Sequence, residues 1–387
     1  MKETRKILAA IGSRANYSSL KSAMVAINEH PQLELQVVAY SSALLDRFGL
    51  VARQIRQDGL PLTHEVHTHV EGESPGTMAQ SAGLVLMQLS QVLAKSSPDY
   101  VLVVGDRYEV LPAAMSASYM NVRVAHTMGG ELTGTIDESI RHAVSKLSHL
   151  HFPATGEAAE RLRGMGENPD HIHLVGCPRL DLAAECMAYG DEDLANSIAN
   201  GVGKTVDITK PFVLVSQHPV TTEYDQARFQ IGQTLEAVAG TLLPAIVLWP
   251  NSDAGGAAMS AVIRAWREKN PDAPFRFVKN LPAELYMSLM ARTVCLVGNS
   301  SSGLREGSFL GTPVVDVGSR QNRRETGSNV IRANHNSADI RFGIEKSVSN
   351  GRHPQSFVYG KGDAGARIAN VLAETDLPPL QKEFFNA

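Results

Sequence analysis

Short apolar runs rich in Val, Ile and Leu recur along the chain, and each is followed by small or polar residues. In the first half these runs are ILAAIG from Ile7, LQVVAY ending at Tyr40, VLVVGD ending at Asp106 and VRVAHT ending at Thr127. Uninterrupted runs of this kind are typical of strands buried on both faces of a parallel sheet. Apolar residues at helical spacing over residues 18–28 and 79–93 separate them, so the pattern predicts an α/β fold.

The same alternation starts again after a polar stretch over residues 191–210. The second series of runs is FVLVSQHP, AIVLWPN, FRFVKN, VCLVGNSSSG and PVVDVGS. We therefore predict two doubly wound, Rossmann-like domains at residues 1–180 and 181–365, and a C-terminal helix at residues 366–387 that packs back on the first domain. Polar residues at the strand ends predict a ligand site in a central cleft between the two domains.

Composition narrows the choice of partners. A chain of 387 residues with 43% apolar side chains exceeds the usual size of one core, which supports two domains. It carries 36 basic and 40 acidic side chains and no block of like charges, so we expect neither nucleic acid nor a membrane as partner. The three cysteines, Cys177, Cys186 and Cys295, are too scattered for a disulfide framework, which favours a cytoplasmic protein.

The sequence offers no signal for a cofactor. No G-x-G-x-x-G follows a predicted strand and no G-x-x-x-x-G-K-[ST] occurs, which argues against nicotinamide, flavin and P-loop chemistry. His64, His67 and His69 lie close together, but their spacing fits neither a helical i, i+4 pair nor a closed four-ligand set. We therefore expect no metal ion and no redox cofactor.

The segment GNSSSG at residues 298–303 follows an apolar run and precedes a predicted helix. Backbone N–H groups and hydroxyls at such a turn can approach a phosphate, which makes Ser300 and Ser301 candidates; the alternative is a helix N-cap. Arg320, after the next strand, is placed to bind the same phosphate through two hydrogen bonds. Glu306 either accepts hydrogen bonds from a ribose or stabilises the start of the helix.

Three other residues come directly after predicted strands and so face the predicted cleft. Arg14 either contacts a diphosphate held by the opposite domain or is a solvated turn residue. His218 either donates to a phosphate or sugar oxygen or is a loop histidine. Asn251, in PNSDAGG, is placed to contact the base or the sugar of a nucleotide.

The densest polar stretch combines GDRYE with AHTMGGELTGTIDESIRH, at two adjacent strand ends and the helix that follows. Its ionisable residues are Asp106, Arg107, His126, Glu131, Asp137, Glu138, Arg141 and His142. Such a cluster is what proton transfer in a cleft requires, because burial and neighbouring charges separate the pKa values of its members. The alternative is a structural salt-bridge network around Arg107 or Arg141.

A series of motifs across nearly the whole chain resembles one enzyme family. They are GSRANYSSLK, VVGDRYE, GGELTGTIDESIRHAVSKLSHLHF, GCPRLD, QHPVTTEY, PNSDAGG, GNSSSGLREGSFLGTPVV, GSRQNRRETG and PLQKEFF. The chain resembles the hydrolysing UDP-N-acetylglucosamine (UDP-GlcNAc) 2-epimerases, above all the epimerase half of the bifunctional UDP-GlcNAc 2-epimerase/ManNAc kinase of sialic acid synthesis. The resemblance implies two domains of the glycosyltransferase-B type and release of UDP and N-acetylmannosamine.

The resemblance also assigns roles to residues of this sequence. Asp106 and Asp137 are implied as acid/base residues and His218 as the partner of the diphosphate or leaving group. The implied UDP site consists of Arg14, Arg107, Asn251, Ser300, Ser301, Glu306 and Arg320. The resemblance further implies a homodimer or homotetramer, and Arg264 and Arg267 match basic positions of a CMP-sialic acid inhibitor site in the family's animal members.

One position departs from the family pattern. Where many members have an acid in H-I-E-G-G, this chain has Met128, whose thioether can neither take nor give a proton. Either Glu131 or Asp137 covers the missing role, or turnover is weakened, or the substrate differs. The hypotheses are a UDP-GlcNAc 2-epimerase, the same reaction on a UDP-2,4-diacetamido-2,4,6-trideoxyhexose of the legionaminic acid pathway, a UDP-sugar-binding protein without turnover, and a glycosyltransferase.

Overall fold

The computed structural model describes residues 4–72, 74–185, 189–251, 253–279 and 281–385, and it contains two parallel sheets. The first sheet has the spatial order β3-β2-β1-β4-β5-β6, and all its neighbouring strands run parallel. Its strands are β1 (Arg5–Ile11), β2 (Leu33–Tyr40), β3 (Leu62–Val66), β4 (Tyr100–Val104), β5 (Arg123–Thr127) and β6 (Leu150–Phe152).

The second sheet has the order β13-β12-β11-β8-β9-β10-β7, and within the described residues only β7 pairs in the antiparallel direction. Its strands are β7 (Val202–Gly203), β8 (Val213–Ser216), β9 (Ala245–Leu248), β10 (Phe275–Val278), β11 (Cys295–Gly298), β12 (Val314–Val317) and β13 (Val330–Ala333). Both sheets follow the doubly wound pattern, so the predicted α/β fold with two Rossmann-like domains is confirmed.

Helices connect the strands and cover both sheets. The first eight are α1 (Arg14–Glu29), α2 (Val51–Gln57), α3 (Pro75–Ser96), α4 (Val110–Tyr119), α5 (Ile136–Leu147), α6 (Gly156–Gly164), α7 (Arg179–Glu185) and α8 (Asp191–Ala199). The others are α9 (Ala227–Gly240), α10 (Gly256–Lys269), α11 (Ala283–Arg292), α12 (Ser301–Leu304), α13 (Glu306–Leu310), α14 (Ser337–Asn350) and α15 (Ala364–Glu374). None of the described helices has both the length and the apolar character needed to cross a membrane.

Each sheet has an apolar core on both faces, which explains the uninterrupted apolar runs of the sequence. In β1, Ile7 and Ile11 pack into the core on one face, and Leu8 packs into the core on the other. In β8, Val213 and Leu214 divide between two cores in the same way. Because both faces are buried, the central residues of these strands are apolar, and charged or polar residues such as Arg5 lie at the strand ends.

The last helix returns to the first domain. Helix α15 packs against α1, where the Arg5 guanidinium donates to the carbonyl oxygens of Leu372 and Thr375 at 2.7 and 2.5 Å. The Asp181 carboxylate of α7 accepts from the first N–H group of α15 at 3.0 Å. Farther along, the amine of Lys382 lies 2.6 Å from the Glu167 carboxylate of the first domain. The domain limits at residues 180 and 365 stay a prediction.

Each sheet has one point at which the strand order reverses. In the first sheet the chain winds outward from β1 in one direction and from β4 in the other. In the second sheet β8 and β11 have the corresponding positions. Loops leaving the carboxyl ends of such strand pairs diverge and leave a crevice, which is where open α/β sheets bind ligands.

Candidate active site

A cleft lies between the two sheets, and the loops after β1, β4, β8 and β11 line it. Of the predicted site residues, those that line the cleft are Arg14, Asp106, Arg107, Asp137, His218, Asn251, Ser300, Ser301 and Arg320. Glu131 and Glu306 lie behind its wall. The fold therefore brings most of the predicted residues together from both domains, while their individual roles stay predictions.

His218 is held in one orientation by two asparagines. The Asn299 side chain accepts from the His218 backbone N–H and donates to its carbonyl oxygen, both at 2.8 Å. The backbone N–H of Asn251 donates to Nδ1 of His218 at 3.2 Å, which leaves the proton of the neutral ring on Nε2. Burial, together with nearby arginines that include Arg320 and Arg14, holds the pKa of His218 well below its usual value. At neutral pH His218 is therefore a neutral donor.

The segment GNSSSG at residues 298–303, called the serine segment below, makes a sharp turn after β11 and lies close to β8. Gly298 has a φ of +135°, and a side chain there would collide with the backbone of Ser216, so only glycine fits. Ser300 caps the short helix α12 and accepts from the Ser302 N–H at 3.4 Å. Ser300 and Ser301 also line the cleft, so Ser300 caps the helix and faces the cleft at the same time.

Three guanidinium groups lie on different walls of the cleft. Arg107 forms ion pairs with Glu109 at 2.7 Å and with Asp253 of the second domain at 2.9 Å. Burial opposes the charge on Arg107, but the two carboxylates outweigh burial and raise its pKa. Burial lowers the pKa of Arg14 to about 10, so it is still charged at neutral pH. Arg320 donates to the carbonyl oxygen of Asn299 at 3.2 Å.

Two carboxyl groups reach the cleft from the first domain. Asp106, after β4, forms an ion pair with the fully buried Arg141 and lies 3.8 Å from Arg324. Asp137 is in the first turn of α5, where its backbone N–H donates to the Thr135 hydroxyl at 3.3 Å. Burial raises the pKa of Asp137, and the positive charge of Arg320 opposes that rise. The two carboxyl groups therefore have different surroundings, as an acid/base pair requires.

Glu131 does not line the cleft, although the sequence placed it among the candidate acid/base residues. Its carboxylate is buried behind the cleft wall, 2.5 Å from Arg305 and 2.7 Å from Arg324 of the second domain. Glu306 is also fully buried and forms an ion pair with Arg179. Neither carboxylate lines the cleft, because each is the partner of an arginine. Glu306 is in the first turn of α13, as its alternative reading expects, and the roles of both residues stay predictions.

Sequence patterns missed part of the cleft wall. Lining residues that they did not single out are Arg47, Phe48, Arg179, Trp249, Lys279, Tyr286, Arg305, Gln321 and Arg324. The signal for two of them was present, because Arg305 and Arg324 are cations inside GLREG and RRETG, next to segments predicted to be buried. A cation in such a place needs a buried anionic partner.

The histidines near the start of the sequence are not grouped with other possible metal ligands in the described part of the chain. Among the described residues, no group of three or more His, Cys, Asp or Glu side chains is arranged to hold a metal ion. His126 of the dense polar stretch is fully buried, with its ring nitrogens 2.9 Å from the Gly105 carbonyl oxygen and 3.1 Å from the Ser145 hydroxyl. Burial lowers the pKa of His126 to about 3, so it is a neutral core histidine.

Comparison with known proteins decides the family. The family model described as UDP-N-acetylglucosamine 2-epimerase matches residues 25–373, which is nearly all of both sheets. The chain belongs to the UDP-N-acetylglucosamine 2-epimerase family. The resemblance seen in the sequence motifs is thereby confirmed.

Two relatives match this epimerase-family chain over its whole length. The UDP-N,N'-diacetylbacillosamine 2-epimerase (hydrolyzing) of Legionella pneumophila is 33% identical over 99% of this chain and 98% of its own. The UDP-N-acetylglucosamine 2-epimerase of Neisseria meningitidis is 29% identical over 99% of each chain. The solved UDP-GlcNAc 2-epimerase of Methanocaldococcus jannaschii, in complex with UDP-GlcNAc and UDP, has the same fold, with a TM-score of 0.80 and 18% identity over 95% of this chain and 99% of that chain.

The position that departs from the family pattern lies in the cleft. Met128 directly follows β5, has a φ of +63° and is buried, with its sulfur 3.9 Å from the thiol of Cys177. Burial raises the pKa of that thiol to about 12, so it is not ionised at neutral pH. In this member of the epimerase family, Asp106 and Asp137 are therefore the only carboxyl groups among the described residues that line the cleft.

Proposed function

We propose that this protein is a hydrolysing 2-epimerase of a UDP-linked 2-acetamido sugar, which releases UDP and the free 2-epimer. One observation carries the proposal. In a member of the UDP-GlcNAc 2-epimerase family, the cleft sets the carboxyl groups of Asp106 and Asp137 opposite the His218 imidazole and the serine segment of the second domain.

The diphosphate is bound in the cleft, between the loops after β1 and β4 of the first sheet and those after β8 and β11 of the second. Ser300 and Ser301 offer hydroxyl and backbone donors at the turn after β11. Arg14 from the first domain and Arg320 from the second add positive charge, and His218 adds its Nε2–H. Such fixed donors cost little reorganisation when charge develops on the leaving phosphate.

Proton transfer is assigned to the first-domain side. A carboxylate removes the proton from C2 of the sugar while the C1–O bond to UDP breaks, which forms a C1–C2 double bond and releases UDP. Water then adds its oxygen to C1, and C2 receives a proton on the opposite face. The net reaction consumes one water molecule. We assign the base to Asp106, the ion-paired carboxylate, and the acid to Asp137, whose pKa is raised by burial.

Two substrates fit this reaction, and each has one observation in its favour. The relative that is 33% identical is named for UDP-N,N'-diacetylbacillosamine, which favours a 2,4-diacetamido-2,4,6-trideoxy sugar. The relative that is 29% identical is named for UDP-N-acetylglucosamine, which favours release of N-acetylmannosamine for a sialic-acid-type pathway. We propose the diacetamido sugar as the substrate with the higher kcat/KM, and UDP-GlcNAc as the second candidate.

A UDP-sugar-binding protein without turnover is the alternative of a different class, favoured by Met128. The test is to incubate the purified protein with each UDP sugar, without an acceptor, and to quantify UDP and free sugar. Release of both products from either substrate supports the hydrolysing epimerase. A thermal shift with UDP but no UDP release would support the binding protein, and release that requires an acceptor would support a glycosyltransferase.

Inhibition by CMP-sialic acid stays a prediction. The guanidinium of Arg264 lies 5.7 Å from the ring centre of Trp249, whose side chain lines the cleft. Arg267 lies 3.9 Å from Glu268 on the same helix, α10. Trp249 alone would thus separate a ligand at Arg264 from the cleft. Unchanged turnover in saturating CMP-sialic acid would contradict this prediction.

A further inference from the structure

The carboxylate of Glu131 holds two arginines of the opposite domain. It follows β5 of the first sheet, and only 3% of the residue is exposed. Its Oε2 lies 2.5 Å from Arg305 and 2.7 Å from Arg324, which both belong to the second domain. A buried carboxylate that is shared by two guanidinium groups has little freedom to exchange protons with a ligand.

The Arg305 arm of this network leads to the serine segment. Arg305 directly follows helix α12, and its Nη1 donates to the hydroxyl of Ser301 at 3.3 Å. Burial alone would lower the pKa of Arg305, but Glu131 outweighs it and keeps the guanidinium charged. Ser301 lines the phosphate side of the cleft, and its position therefore depends on Glu131 through Arg305.

The Arg324 arm leads to the proposed base. Nη2 of Arg324 lies 3.8 Å from the Asp106 carboxylate. Arg141 reaches the same carboxylate and also donates to the backbone carbonyl oxygen of Glu131 at 2.6 Å. Arg324 and Arg141 thus both contact Asp106, and Glu131 binds Arg324 through its side chain and Arg141 through its backbone carbonyl oxygen.

The charges of the three arginines explain why this network depends on the carboxylate of Glu131. Arg141, Arg305 and Arg324 are all buried within it, and their ion-pair partners among the described residues are Glu131 and Asp106. Without the charge of Glu131, two guanidinium groups would face each other in a low dielectric, where repulsion is poorly screened. They would separate, and Ser301 and Asp106 would move with them.

We infer that Glu131 is a positioning residue that ties the serine segment of the second domain to Asp106 of the first, so that UDP binding and proton transfer at C2 are coupled. The inference rests on the proposed function for the role of Asp106. It is an alternative to the sequence-based prediction that Glu131 itself transfers a proton.

The first test is Glu131→Gln in the full-length chain. We expect kcat to fall about 100-fold, because displacements near 1 Å at a reacting group have effects of this size. We expect UDP to bind about tenfold more weakly, within the usual range of coupling between two sites. Arg323→Gln is the matched control, because Arg323 forms a 3.4 Å exposed ion pair with Glu138 between the same two domains, and both constants should stay within about twofold.

A purely structural role would give a different result. It would lower the melting temperature and the fraction of folded protein, while the folded fraction, counted by the stoichiometry of UDP binding, would keep the Kd and kcat of the wild type. That outcome, or an effect no larger than that of Arg323→Gln, would overturn the inference.

If Glu131→Gln does not fold, conservative variants separate the two arms. Lysine keeps the charge but loses the planar geometry of the guanidinium. Arg305→Lys should weaken UDP binding more than it lowers kcat, and Arg324→Lys should lower kcat more than it weakens UDP binding. Equal effects on both constants in both variants would contradict the two-arm network.

The inference and the proposed function fail in different ways. If the wild type releases no UDP from either UDP sugar, the proposed function fails, and UDP affinity alone then decides the inference. In that measurement Ser301→Ala should weaken UDP binding, and adding Glu131→Gln should weaken it little further, because both act through Ser301. Multiplicative effects of the two substitutions would overturn the coupling through Ser301.

Discussion

The two sides of the cleft differ in what they offer a ligand. The second-domain side presents neutral or cationic donors on fixed turns, namely His218, the serine segment and Arg320. The first-domain side also has cations, Arg14 and Arg107, but it alone presents carboxyl groups among the described lining residues, those of Asp106 and Asp137. Donors bind an anion, whereas carboxyl groups exchange protons. The comparison indicates that most of the UDP-binding groups and the proton-transferring groups lie on different sides, so that substitutions within one side should change mainly one function, whereas Glu131, which joins the sides, should affect both.

The largest expected effect is on the first-domain side. Asp106→Asn removes the proposed base, and we expect kcat to fall about 10³-fold, within the usual contribution of a general base. UDP affinity should change far less, because Asp106 belongs to the side that transfers protons. Kinetics of UDP release and calorimetric titration with UDP measure the two quantities separately.

The control for this variant addresses Arg141, which is fully buried and loses its anionic partner. Loss of such a partner destabilises proteins by about 3–5 kcal/mol, so thermal unfolding must accompany the assay. A folded Asp106→Asn protein with kcat near the wild-type value would remove Asp106 from the chemistry.

A smaller effect is expected at His218. His218→Asn keeps an acceptor for the Asn251 N–H and removes the Nε2 donor, so kcat should fall about 10²-fold. Because burial and neighbouring arginines hold the pKa of His218 well below its usual value, the wild type should keep its activity as pH falls through 6.5. The pH profile of kcat/KM checks this point, and an acidic limb near 6.5 that disappears in His218→Asn would contradict it.

Arg320→Ala is expected to act mainly on binding. Loss of one charge-assisted contact should weaken UDP affinity about tenfold. The variant also removes the positive charge that opposes the raised pKa of Asp137, so that pKa should rise further. If Asp137 is the acid, activity then persists to higher pH than in the wild type. An alkaline limb that moves to lower pH would be inconsistent with that assignment.

The smallest effect is expected at Met128. Met128→Leu has similar volume and also lacks a proton to transfer, so turnover should stay within about threefold of the wild type. The variant tests whether the carboxyl groups of Asp106 and Asp137 are sufficient for proton transfer on the first-domain side. A loss of more than tenfold in a stably folded Met128→Leu protein would show that the sulfur contributes to the reaction.

The sequence allowed prediction of most second-domain residues because they follow strand ends. Ser300 comes two residues after β11 and His218 two residues after β8, and the carboxyl ends of parallel strands share one edge of a sheet. Arg14, at the start of α1, was predictable for the same reason. Apolar patterns fix where a strand ends, and the strand order fixes which ends meet.

Ion pairs between the domains could not be predicted in the same way. Nothing near Glu131 in the sequence shows that Arg305 and Arg324 hold its carboxylate, since they lie 174 residues or more along the chain. The ion pair of Glu306 could not be predicted either, because its partner, Arg179, is in α7, which precedes the second sheet in the chain. Partners of buried charges depend on domain packing, which local pattern does not contain.

The most direct test of hydrolytic epimerisation is the fate of the C2 hydrogen. The wild-type protein is incubated in heavy water with UDP-N,N'-diacetylbacillosamine and, separately, with UDP-GlcNAc, and the released sugar is followed by proton NMR. We predict UDP and a free sugar that is inverted at C2 and carries deuterium there. A released sugar that keeps its C2 hydrogen and its original configuration would identify a simple hydrolase and contradict proton transfer by the first-domain carboxyl groups.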